Sequence, residues 1–251
     1  MKAASPGRSL QSADGYGYRD LAHHPAIAAA RVVVELLRSR LIFRSVLDVG
    51  CGVGLWLREY CTQGVEDVFG LDGPWVPKEN LAIPAENFLT HDLTMPFQLG
   101  RQFDLVMCLE VAEHLPAASA DVLLDSLAAH GGQIFFSAAI PGQGGFQHVN
   151  EQLQDYWIER FRAREFTAYD VIRPLIWNHP NVPYYYAQNA LVFSRTPLPF
   201  PTEFIPSPIH PEIFRRRSDP RNYSLKAILK HAPFYLRRLL KSGKRAETDP
   251  T

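Results

Sequence analysis

The sequence has no surplus of either charge: 26 Lys and Arg stand against 26 Asp and Glu over 251 residues. It has no apolar run approaching the ~20 residues that a membrane-spanning helix needs, which excludes a helical membrane protein. Cysteine is scarce. Cys51, Cys61 and Cys108 show no C-x-x-C spacing, fall in or beside expected core elements, and without a disulfide framework fit a reducing, cytoplasmic compartment. Residues 1–15 are polar and small, with none of the apolar stretch that a signal peptide carries, and are expected to be disordered. There is no internal repeat. What is present is 46% hydrophobic and 21% charged residues, enough for one sizeable globular domain and an appendage.

The most informative segment runs from Ser45 to Gly54, S-V-L-D-V-G-C-G-V-G. Val46 to Val49 reads as a buried strand entering a glycine-rich turn. Glycines at alternate positions allow a sharp turn and a close approach of backbone to ligand. This places a small cofactor at the carboxyl end of the first strand of an α/β sheet. A dinucleotide turn has the spacing G-x-G-x-x-G. Here Gly50, Gly52 and Gly54 follow G-x-G-x-G, and Leu55 stands where the last dinucleotide glycine would fall. Asp48 would set negative charge beside a pyrophosphate, whereas it suits a ligand carrying an ammonium or sulfonium group.

Further markers follow in order. Val65 to Leu71 reads as a second strand ending at Asp72, where a carboxylate can accept hydrogen bonds from both hydroxyls of a ribose. Phe88 and Leu89 lead to His91-Asp92-Leu93. Phe103 to Leu109 is a further apolar strand, followed by E-V-A-E-H-L-P at Glu110 to Pro116. Asp121 to His130 reads as a helix and Gln133 to Ala139 as the next strand. Together, D-x-G-x-G-x-G, Asp72, Asp92 and the Glu110–Pro116 run resemble the class I S-adenosylmethionine (SAM)-dependent methyltransferases, over roughly residues 16–195.

That resemblance implies a Rossmann-like α/β fold: a seven-stranded mixed sheet, its last strand antiparallel, with helices on both faces. It implies SAM as methyl donor and S-adenosylhomocysteine as product. It assigns Asp48, Gly50, Cys51, Gly52, Gly54, Asp72, Gly73, Asp92, Leu93 and Leu109 to the cofactor, with Asp92 meeting the adenine amino group. Tyr18 and Arg19 fall in the segment that lids the methionine end, where Arg19 would pair with its carboxylate; an exposed arm is the other reading. The stretch Ser137–Gln152, with Ile172–Trp177 and Tyr186–Asn189, resembles a bacterial subgroup of small-molecule and glycan O-methyltransferases.

Methyl transfer needs the acceptor aligned with the donor methyl, and an oxygen acceptor must also lose a proton. The segment Ser137–Gln152 follows the fifth strand at the sheet edge where α/β folds bind ligands. Its loop, flexible through Gly142, Gly144 and Gly145, carries His148 and Asn150 to a helix whose buried face is expected at Leu153, Trp157, Ile158 and Phe161. Histidine titrates near neutrality, so His148 is the candidate general base. The alternative is that Asn150 caps the helix and His148 only hydrogen-bonds the loop. His114 is the second catalytic candidate, at the floor of the site by resemblance. Glu110, Glu113, His114 and Asp92 offer ligand atoms, but the first three share one short turn with no second cluster, and no metal is assigned. Glu113, Asn150, Arg173, Trp177, Tyr186, Gln188 and Asn189 are expected to form the acceptor wall, since aromatics with amides and an arginine suit a polyhydroxylated ligand. Aromatic packing explains the tyrosines equally well. His23 and His24 read as helix-start residues ahead of Pro25.

No nucleic-acid partner is expected. The Asp/Asn/Ser-Pro-Pro-aromatic motif of base-amino methyltransferases is replaced by Leu109-Glu110-Val111-Ala112, and residues 1–210 are acidic overall. The balancing positive charge lies in Pro211–Thr251, where a contact with an anionic membrane or lipid carrier competes with a solvated basic helix. Seven prolines between Pro197 and Pro220 are expected to preclude a helix there. The chain thus reads as an N-terminal arm (1–15), a methyltransferase domain (16–196) and a proline-rich linker with a basic extension (197–251). Other open readings are an N-methyltransferase acting on a small amine, which needs no strong base, and a methyltransferase-fold binding or scaffold protein acting through its tail.

Overall fold

The computed structural model describes residues 25–202, 205 and 207–218. The fold is a seven-stranded sheet in the order β3-β2-β1-β4-β5-β7-β6. The strands are β1 (Ser45–Val49), β2 (Asp67–Asp72), β3 (Phe88–Thr90), β4 (Leu105–Leu109), β5 (Gln133–Ser137), β6 (Thr167–Tyr169) and β7 (Leu191–Ser194). The first five run parallel, and β7 lies antiparallel between β5 and β6. This is the expected Rossmann-like methyltransferase architecture.

The central strands are apolar on both faces, as a sheet covered by helices on both sides requires. Successive residues alternate between two cores. Val46, Leu105, Met107, Phe135 and Val192 face one, with α1 (Pro25–Arg38) and α2 (Leu55–Thr62). Leu47, Val106, Cys108, Phe136 and Phe193 face the other, with α3 (Ala120–His130) and α4 (Gln154–Arg162). Helix α1 forms because Ala26, Ala29, Ala30, Val33, Val34 and Leu37 recur at helical spacing and bury one stripe. Two short helices, α5 (Arg173–Ile176) and α6 (Tyr184–Asn189), fill the connection from β6 to β7. Among the described residues, no helix is long and apolar enough to cross a membrane.

Several expectations are corrected. Leu153 does not join the buried face of α4: it precedes the first turn and is exposed, while Trp157 and Phe161 are buried. Cys61 is exposed, unlike Cys51 and Cys108; all three are free. The proline-rich segment does contain a helix, α7 (Pro211–Ser218), because Pro211 occupies its first position, where a missing N–H is harmless. Compact contacts divide the chain into Met1–Ile209 and His210–Thr251. Residues past Thr196 still belong to the first unit, since Leu198 and Phe200 pack on one core and Ile205 on the other. Residues 1–24, with Tyr18, Arg19, His23 and His24, and the basic stretch from Asp219 to Thr251 lie outside the described residues.

Phe161 holds α4 on the sheet. It is fully buried, stacks on Phe193 at 4.0 Å between centroids, and meets Phe136 edge-on at 5.3 Å. Phe161→Ala is therefore expected to destabilise the fold by about 3–5 kcal/mol, measurable by denaturant unfolding. A loss within experimental error would mean that α4 is not anchored there.

Candidate active site

The glycine turn is held open by its neighbours. Gly50 has φ +85°, and a Cβ there would sit 2.3 Å from Val111 Cγ2, so no other residue fits without moving the turn after β4. The backbone N–H groups of Gly50 and Cys51 donate to the Leu71 carbonyl at 2.7 and 3.1 Å, keeping the turn beside the end of β2. Leu55 begins α2 and is buried in the core.

Two carboxylates converge beneath this turn. Asp48 is 3% exposed; burial, and secondarily the charge of Asp72, push its pKa well above the ordinary value. Asp72 accepts from Gly52 N at 2.7 Å and Gly73 N at 2.6 Å. Burial raises its pKa, and these hydrogen bonds oppose the rise. Paired carboxylates in a low-dielectric site favour a cationic ligand, which relieves both desolvation and mutual repulsion. SAM, with its sulfonium and ammonium groups, fits this donor set.

A cleft opens above the turn, lined by Asp48, Gly50, Gly52, Trp56, Glu110 and Tyr186 among others. Trp56 and Tyr186 meet edge-to-face at 5.3 Å across it. Glu110 adopts φ +53°, a strained conformation for a residue with a Cβ. Its N–H donates to Ser137 O at 3.0 Å, and its two carboxylate oxygens accept from Asn189 Nδ2 (3.0 Å) and Gln143 Nε2 (2.7 Å). The backbone is thus held by β5, and the side chain by the loop after β5 and by α6.

Beyond Glu110, the turn after β4 meets the loop after β5. His114 and His148 pack edge-on with centroids 4.8 Å apart. Glu151 accepts from Gly142 N (2.8 Å), Gly144 N (2.6 Å) and His148 Nδ1 (3.0 Å), so one carboxylate staples the loop and orients the ring. Burial pushes the Glu151 carboxyl up, but the His148 ring and the two N–H groups outweigh it and leave its pKa below the ordinary value. Burial, reinforced by the neighbouring His148, lowers the His114 pKa to about 4. The Glu113 carbonyl accepts from Val149 N and Asn150 N at 2.8 and 3.0 Å, tying the two segments together.

The residues expected from sequence do not all fall together. Asp48, Gly50, Cys51, Gly52 and Leu109 line the cleft with Tyr186. Asp72 and Gly73 lie beside them at the end of β2, and Gly54 caps α2. Asp92 is exposed beyond β3 with its Oδ1 held by Thr94, and Leu93 is buried. The acceptor wall differs most. Arg173 is 1% exposed; Nε and Nη2 bond to Asp170 and Nη1 to the Gln188 carbonyl. Gln188 is fully buried and donates to Asn189 Oδ1 at 2.9 Å. These residues face inward because a buried guanidinium and amide must be hydrogen-bonded. They form a chain, Arg173–Gln188–Asn189, that ends on Glu110. Glu113 is likewise buried. Asn150 does not cap α4: it is buried and donates to Ala112 O at 3.4 Å. Trp177 follows α5 and is half-buried.

Sequence reasoning misses Trp56, Gln143 and Glu151, and leaves Glu110 outside the site. The only local signal for Glu151 is its place three residues after His148.

The family profile described as "Methyltransferase domain" matches residues 21–173. Curated relatives include a ubiquinone biosynthesis O-methyltransferase of Bordetella avium (strain 197N), 34% identical over 41% of this chain and 46% of the relative. Another, from Pseudomonas syringae pv. tomato, is 31% identical over 40% of this chain and 46% of the relative. The chain therefore spans about half the length of the curated relatives it matches. Among solved structures, the sugar N-methyltransferase KedS8 from Streptoalloteichus sp. aligns over 78% of this chain and 98% of its own, with a TM-score of 0.55 and 17% identity. The magnesium protoporphyrin IX methyltransferase from Synechocystis PCC 6803 with bound SAH aligns over 68% of this chain and 84% of its own, with a TM-score of 0.50 and 21% identity. These two likenesses establish the fold.

The raised pKa of Asp48 has a signed consequence. A carboxyl whose folded pKa lies above its unfolded value stabilises the fold below the unfolded pKa and loses that contribution as pH rises through the folded one. At neutral pH an ionised Asp48 therefore weighs against the ligand-free fold. Asp48→Asn is expected to melt above the wild-type chain at neutral pH, the gap closing toward acid, while SAM affinity falls at least tenfold. Thermal melts across pH with calorimetric SAM titration check both. A variant that melts lower and binds SAM normally would contradict this.

Proposed function

The chain belongs to the methyltransferase-domain family, and on that premise we propose that it transfers the methyl group of SAM to a hydroxyl of a small-molecule or glycan-like acceptor. When bound, SAM supplies a methyl group made electrophilic by its sulfonium. The protein's own residues do the rest. Asp48 and Asp72 hold the cationic donor, and the alternate glycines let it approach the backbone. Glu110, fixed by Asn189 and Gln143, sets the edge of the cleft and orients what enters it.

The observation that carries transfer to oxygen is the Glu151–His148 pair. Glu151 accepts a hydrogen bond from the Nδ1–H of the neutral ring, which leaves Nε2 with a lone pair. An amine acceptor attacks with its own lone pair, but a hydroxyl must shed a proton, and an oriented histidine serves that need. His148 is thus the residue that activates the acceptor. The O-methyltransferase names of the curated relatives support the same choice. The inward-facing Arg173, Gln188 and Asn189 keep the wall rigid, so acceptor contacts fall to Tyr186, Trp56 and the Gly142–His148 loop.

Incubation with SAM and paired panels of hydroxyl and amine acceptors, read by mass spectrometry, is expected to place the methyl on oxygen. His148→Ala is expected to lower kcat by about 10²- to 10⁴-fold with SAM affinity unchanged. Methylation confined to amines, or an unaltered kcat in the variant, would refute this reading.

A further inference from the structure

One feature of the histidine cluster exceeds what a general base needs. Glu113 is fully buried, and among the described residues neither of its carboxylate oxygens has a hydrogen-bond partner. A buried carboxylate left in this state is costly unless a positive charge meets it or a proton neutralises it. One donor atom each from Glu113, His114 and His148 lies within 4.8 Å of the others. Two separate segments bring them together: the turn after β4 carries Glu113 and His114, and the loop after β5 carries His148. The carbonyl of Glu113 clamps the segments through Val149 N and Asn150 N.

We propose that Glu113, His114 and His148 form a binding site for one divalent first-row metal ion. Two imidazoles and one carboxylate suit Mn²⁺, Fe²⁺, Co²⁺ or Zn²⁺, and three protein ligands leave positions open for an exogenous oxygen. The surroundings match what such ligands require. Glu151 holds His148 through Nδ1, the carboxylate–histidine arrangement that fixes the tautomer and raises the basicity of the ligating nitrogen. Gly145 lies over the His148 ring: a Cβ there would come within 2.2 Å of Nε2, so the covering loop needs glycine at this point. Glu110 lines the cleft and its carboxylate acts on that of Glu113, which puts the cluster beside the cleft where the acceptor would lie.

This deepens the proposed function and, for the acceptor, rests on it. An acceptor hydroxyl bound to the cation has a lowered pKa and releases its proton to solvent. The lone pair of His148 is then held by the ion, and His148 activates the acceptor through the metal rather than by taking the proton itself. The site selects acceptors whose reactive hydroxyl, alone or with an adjacent oxygen, can reach a metal.

The test uses the full chain, stripped with chelator and titrated with Mn²⁺ while free Mn²⁺ is followed by electron paramagnetic resonance. One bound ion per chain is expected, with a rise in melting temperature. His148→Ala and Glu113→Gln are each expected to weaken Mn²⁺ binding at least tenfold, and Glu151→Gln by about 10- to 100-fold. Asp72→Asn is expected to lose SAM but bind Mn²⁺ as the wild type does. Circular dichroism identifies a Glu113→Gln variant that fails to fold, in which case His148→Ala, on the loop, decides. A protonated Glu113 would need no ion; the chain would then be indifferent to Mn²⁺ and Zn²⁺, and the proposal falls. It falls equally if folded His148→Ala binds Mn²⁺ as tightly as the wild type. Mn²⁺ bound with this variant pattern but no methyl gained by any hydroxyl would refute the proposed reaction and leave the metal site standing.

Discussion

Asp48 and Asp72 are buried near the ends of adjacent parallel strands, where burial raises the cost of ionising both and the charge of Asp72 adds to it for Asp48. Parallel pairing forces this closeness, because β1 and β2 run in register from Ser45↔Asp67 to Val49↔Leu71 and end at the same sheet edge. The glycine turn answers the strain: Gly52 and Gly73 donate backbone N–H groups to Asp72, and Gly50 bends the chain where a Cβ would collide with Val111. The outcome is a preformed site whose electrostatics favour a cation before any ligand arrives.

A second arrangement is built on the next edge of the sheet. The turn after β4 and the loop after β5 meet over Glu113, and Glu151 staples the loop through three hydrogen bonds. Glu110 links this region to the cleft. Its strained backbone is maintained by Ser137 below and by Asn189 and Gln143 at its carboxylate. The chain Arg173–Gln188–Asn189 then extends the support into α5 and α6. Residues that look like acceptor contacts by type are in fact the frame that aims Glu110.

The sheet and the residues that line the cleft at the glycine turn were legible because their signals are local. Val46–Val49 and Phe103–Leu109 are mainly apolar runs, Asp121–His130 has helical spacing, and D-x-G-x-G-x-G carries its own turn geometry. The remainder depends on contacts between distant segments. Nothing local tells that Arg173 bonds inward to Asp170 and Gln188 rather than outward to a ligand, or that His148 crosses the sheet edge to reach His114. Leu153 was misplaced for a similar reason: helical spacing places it on the buried face of α4, but the helix begins one residue later. Pro211 shows the converse, a proline that starts a helix instead of preventing one.

The central claim is that a buried Asp48, whose ionisation the fold opposes, selects the cationic donor. Calorimetric titration of SAM at mildly acidic pH, in two buffers of different ionisation enthalpy, tests it most directly. The account predicts a binding enthalpy that changes with buffer in the sense of proton release, and loses that dependence in Asp48→Asn. Equal enthalpies in both buffers for the wild-type chain would contradict it.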